Sequence, residues 1–132
     1  MFYKGDILLP QTRVAKKDCL NGLYHAAVVW DDINDGFNDF NGIMLTHSKP
    51  SEDFQNILME SYYFEVGYEF IGDKTHFVNQ IFIKFTTWGQ LKIVGKLTPD
   101  GIIFIKNNLT NLNPMEFSKY KNLFKNINLL FS

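Results

Sequence analysis

The residues best suited to chemistry gather at the ends of two apolar stretches. His25 stands at the head of "HAAVVW", and Thr46, His47 and Ser48 close "GIMLTHS". Histidine alone has an unperturbed titration near neutral pH, so two neighbouring imidazoles can serve as general base and general acid. A Thr or Ser hydroxyl beside them can donate to a phosphate oxygen. Such a constellation can cleave RNA with the substrate's own 2′-hydroxyl as nucleophile and without a metal. A plainer reading competes with it: polar residues belong at strand ends, where the chain meets water.

The chemistry depends on how the two stretches are held. "LYHAAVVW", Leu23 to Trp30, combines small, β-branched and aromatic residues in the pattern of a buried strand. "DDINDGFNDFN" is dense in Asp, Asn and Gly, which favour turns. "GIMLTHS" is the next strand. If the two strands pair antiparallel across the acidic connection, the start of one lies near the end of the other. His25 then comes close to Thr46, His47 and Ser48.

Other chemistries find less in the sequence. The third histidine, His76, also sits near a strand, but no His-x-His or His-Glu-x-x-His spacing occurs to suggest a metal site. Cys19 is the only cysteine, so the chain has no internal disulfide and no cysteine cluster. Its neighbours Lys16 and Lys17 are the only local groups that could stabilise a thiolate, and an inert thiol is expected. The acidic stretch lacks the spacing and trailing Glu of a calcium loop, so it reads as a solvated turn. Gly95 and Gly101 form no phosphate-binding pattern. No cofactor is expected.

The remaining elements are predicted as follows. "GDILLP" is a short strand stopped by Pro10, and "QTRVAKKDCLNG" a polar loop. "NILMESYYFEVGYEF" is ambiguous between strand and short helix. "THFVNQIFIKF" alternates, with Phe77, Ile81, Ile83 and Phe85 on one face and a phase break near Asn79 that suggests a bulge. "LKIVGKLT" is extended. Thr98, Pro99 and Asp100 form a helix start, with cap, first position and an acid in the first turn. Asn113 and Pro114 repeat that signal before a second helix carrying Phe117, Tyr120, Phe124, Ile127 and Phe131 on one face.

The bulk properties bound the function classes. With 132 residues, 45% of them apolar, the chain can bury a core as one domain over 1–132. A barrel part over about 1–97 and a helical part over about 98–132 are expected. Thirteen Phe and six Tyr lean the chain toward sheet. The net charge is −1 with no long run of one sign, so no basic face for long nucleic acid is visible, although a local patch can sit within a neutral chain, and Arg13 as the only arginine limits bidentate phosphate sites. No signal peptide and no membrane span are read, so a cytoplasmic protein is expected.

The order "KGDILLP", "HAAVVW", "GIMLTHS", "FIKF" and "VGKLTPDGIIFIKNNL" resembles the PemK/MazF family of bacterial toxins, over roughly Gly5 to Leu109. The segments themselves give a mainly β or α+β fold with one or two C-terminal helices, and the resemblance implies that the strands form a small SH3-like barrel. It also implies a homodimer, an antitoxin partner and endoribonuclease activity on single-stranded RNA. Gly5 and Asp6 match the family's opening turn and strand, and Thr46 its strand-end threonine, with His47 inserted before Ser48. His25 takes the place of the family's arginine and Ala26 that of its proline. The charge-stabilising role then falls to Arg13, in the preceding loop. Catalysis is assigned to His25, Thr46, His47 and Arg13, and substrate binding to Ser48, Trp30 and Trp88. The alternative is a non-catalytic barrel that binds a protein or peptide through exposed aromatics such as Trp30, Tyr62, Tyr63 and Trp88.

Overall fold

The structure is a computed structural model and describes residues 2–10, 26–33, 39–46, 55–65, 75–83, 91–117 and 119–120. Among the described residues, seven strands make one sheet: β1 (Asp6–Pro10), β2 (Ala27–Ile33), β3 (Asp39–Thr46), β4 (Asn56–Leu58), β5 (His76–Ile83), β6 (Leu91–Lys96) and β7 (Met115–Glu116). Their order is β4-β5-β3-β2-β1-β6, and β7 pairs with β5 off that path. Every pairing along the path is antiparallel, and β7 runs parallel to β5. The described residues are therefore mainly β, with one long helix, α1 (Pro99–Asn108), and a 3₁₀ turn at Ser61–Tyr63.

The strands are apolar on both sides because both faces of the sheet are covered. Leu8, Ala27, Val29, Phe40, Met44, Val78 and Phe82 form one face, packed against Phe117 and Tyr120. Ile7, Val28, Trp30, Ile43, Leu45, Phe77 and Ile81 form the other, packed against Met59, Phe64, Leu97, Ile105 of α1 and its C-cap Leu109. Successive residues alternate between the two clusters, as a strand's period of two requires.

The predicted hairpin of β2 and β3 forms, but it is longer than expected. Asp31↔Asn41, Asp32↔Phe40 and Ile33↔Asp39 are paired, so much of the acidic stretch is strand rather than turn. Backbone pairing with an established neighbour outweighs the turn preference of Asp and Asn there. A bulge at Trp30 separates the Val29↔Gly42 and Asp31↔Asn41 pairs.

The phase break near Asn79 is also present. Ile43 and Leu45 of β3 face Ile81 and Phe77, so β5 carries two extra residues between them. The Asn79 amide donates to Thr110 Oγ1 at 2.7 Å, and its Oδ1 accepts from Thr110 N at 2.8 Å. Asn111 Nδ2 donates to Asn79 O at 2.8 Å, and Gln80 Nε2 donates to Asn113 O at 2.9 Å. This clamp divides one edge of β5 between β4, which pairs with His76–Val78, and β7, which pairs with Phe82 and Ile83.

α1 begins as predicted. Thr98 is its N-cap, accepting from Gly101 N at 3.1 Å and donating to Tyr63 O at 3.2 Å, with Pro99 in the first turn. The second helix does not begin at Asn113 and Pro114. The clamp on β5 holds that segment, and Met115–Glu116 pair as β7 before Phe117, Lys119 and Tyr120 turn helical. Phe117 and Tyr120 share one buried cluster, as their spacing predicts, whereas Phe124, Ile127 and Phe131 lie outside the described residues. No helix among the described residues is long and apolar enough to cross a membrane.

Candidate functional site

Five strand ends lie at one end of the sheet. β1 ends there at Pro10 and β3 at Thr46, while β2, β5 and β6 begin there at Ala27, His76 and Leu91. The register fixes this arrangement. Ala27 faces Met44, Leu45 N donates to Ala26 O at 2.9 Å, and Thr46 faces His76. The pairing of β2 and β3 thus reaches Ala26 and Leu45, one residue short of the predicted meeting of His25 with Thr46. His25, His47, Ser48, Arg13 and Trp88 lie outside the described residues.

Two of the predicted site residues are described, and the fold does not bring them together. Thr46 continues the row Phe40, Gly42, Met44 on one face of β3, at the end of the sheet, and is 2% exposed. Trp30 lies on the opposite face, several residues away along the sheet. The residue is 6% exposed, clusters with Val28 and Ile43, and is covered by Lys4, whose Nζ is 4.2 Å from the ring centroid. Trp30 is therefore core and offers no exposed stacking face. The bulge in β2 lies at this residue, and the ring packs among the apolar residues of that face.

The residue not assigned a role from sequence is His76. It faces Thr46 on one side and Leu58 on the other, so the three form one rung across β3, β5 and β4. Residues directly opposite in an antiparallel pair share a face, with Cβ atoms about 4.5–5.5 Å apart. Val78, two residues along from His76, belongs to the cluster that contains Met44. The rung is where that apolar face turns polar. His76 is half-buried, and its Nδ1 is buried with no hydrogen-bond partner. No local signal marks it: the β3–β5 register, with its bulge near Asn79, is what sets His76 against the end of "GIMLT".

Of the aromatics expected to be exposed, Tyr62 and Tyr63 sit elsewhere, beside the N-terminus of α1. Tyr62 is 65% exposed and meets Tyr63 edge-on at 4.7 Å between centroids. Tyr63 stacks on Phe104 at 4.6 Å, and Phe104 meets Phe77 edge-on at 6.1 Å. The hydrogen bond with Tyr62 raises the Tyr63 phenol above its ordinary value of 10.0. Tyr63 and Phe104 are thus half committed to the core, and Tyr62 alone stands free of it. Among the described residues, no three His, Cys, Asp or Glu side chains are close enough to hold a metal ion. Comparison with protein-family models, with curated proteins and with solved structures returned no match.

Proposed function

We propose that this chain is a PemK/MazF-like barrel protein that cleaves single-stranded RNA without a metal. The observation that carries the reading is the β2–β3 register, which runs to Ala26 and Leu45 and so directs the chain on either side toward one end of the sheet. The barrel draws support from the segment after β4. It leads through the 3₁₀ turn to Phe64, which bridges Leu97 just beyond β6, so it spans from one end of the strand order to the other.

In this reading one imidazole, that of His25, removes the proton from a ribose 2′-hydroxyl. The freed oxygen attacks the adjacent phosphorus, and the bond to the 5′-oxygen breaks. His47 gives a proton to that leaving oxygen, so the products are a 2′,3′-cyclic phosphate and a 5′-hydroxyl. Ser48 and Arg13 serve the phosphate and its developing charge, while Thr46, 2% exposed at the end of β3, acts from behind the surface. A cytoplasmic location, a homodimer and an antitoxin partner belong to the same reading.

The test is cleavage of a long unstructured RNA by purified protein in the presence of a chelator. His25→Ala and His47→Ala are each expected to reduce the rate by about 10²-fold or more. Full activity in either variant would overturn that residue's assignment. No cleavage by the wild-type protein would overturn the nuclease reading. The second reading, a barrel that binds a protein or peptide, has Tyr62 in its favour, because an amphipathic ring exposed beside stacked neighbours is suited to an interface.

A further inference from the structure

We propose that His76 is a substrate-contacting residue of this site, its imidazole binding a phosphate of a single-stranded phosphodiester chain. The inference rests on the RNA-cleaving reading and adds to it a group that the reading did not use.

Three observations converge on it. His76 lies on the same rung and the same face as Thr46, at the end of the sheet where β3 ends and β5 begins. Of that pair, Thr46 is 2% exposed whereas His76 is only half-buried, so the imidazole is the more open group. Its Nδ1 is buried and has no hydrogen-bond partner.

An orphaned ring nitrogen costs stability, and a histidine that served only packing would be replaced by an apolar residue without that cost. With Nδ1 shut away, hydrogen bonding to a ligand falls to Nε2, on the other side of the ring. Leu58 flanks His76 on β4 and is 53% exposed, which gives the rung an apolar shoulder where a ribose or base can lie.

The experiment measures binding separately from cleavage. A fluorescent single-stranded oligodeoxynucleotide, which lacks the attacking 2′-hydroxyl, is titrated with the wild-type protein, His76→Ala and His76→Gln. The expected result is at least tenfold weaker binding by His76→Ala, partial recovery in His76→Gln and unchanged unfolding midpoints. Equal affinity in all three overturns the inference. If the wild type also cleaves RNA in a His25-dependent way, the proposed function survives that result.

Binding without cleavage, lost in His76→Ala, supports the contact and counts against the nuclease reading. Absence of binding by the wild type overturns the inference whatever the cleavage assay gives. Should either variant fail to fold, the ring resonances of His76 in the wild-type protein decide. Movement on adding the oligonucleotide supports the contact, and invariance overturns it.

Discussion

Gly42 carries no side chain because two aromatic rings occupy the place of one. A Cβ at this position would lie 2.6 Å from Phe82 Cζ and 3.1 Å from Phe40 Cε2. Both rings are almost fully buried, and Phe82 is the cross-strand partner of Gly42, so neither can swing into solvent. Gly42→Ala is therefore expected to lose about 1–3 kcal/mol through overpacking, read from urea unfolding midpoints. An unchanged midpoint would show that the rings are not closed over the glycine. The same packing explains why "GIMLT" has a glycine at its head, followed by residues that alternate between the two faces until the polar Thr46.

At the scale of elements, the test falls on the clamp that divides the edge of β5. Asn79→Ala removes the amide pair with Thr110, and about 1–3 kcal/mol of stability should go with it. Hydrogen exchange should also rise at Phe82 and Ile83, where β7 pairs. Unaltered exchange there would mean that β7 holds without the clamp. This region also separates what was legible in the sequence from what was not. α1 could be read because its start is local: Thr98, Pro99 and Asp100 act within one turn. β2, β3 and the bulge in β5 could be read because period-two patterning survives in single strands.

Asn113 and Pro114 carry the same local signal as Thr98 and Pro99, yet they precede a strand. The deciding bond there comes from Gln80, thirty-three residues away, which no local pattern reveals. Of the candidate site, the meeting of the start of β2 with the end of β3 was legible in the hairpin, whereas the burial of Trp30 and the place of His76 depend on long-range register.

At the scale of the whole molecule, the sheet is a middle layer, and each face needs its own cover. α1 covers one face, and Phe117 with Tyr120 contributes to covering the other. Phe82 meets both of these rings, at 5.4 Å and 5.3 Å between centroids. Tyr120 is 1% exposed, and desolvation pushes its phenol well above the ordinary value of 10.0. The folded chain therefore holds this proton more tightly than the unfolded chain does. The stabilising effect is complete below pH 10.0 and is lost as the pH rises toward the folded-state value, because the unfolded state ionises first. Above pH 10.0 this one group should remove about 1.4 kcal/mol of stability per pH unit. Urea unfolding of the wild type and Tyr120→Phe between about pH 9 and pH 11.5 isolates the effect, since the lysines and other tyrosines titrate in both proteins. The two stability curves should run parallel below pH 10.0 and diverge above it, with the wild type falling faster. Curves that stay parallel throughout would mean that the Tyr120 phenol reaches water in the folded protein, and that this face of the sheet is covered less completely than its packing implies.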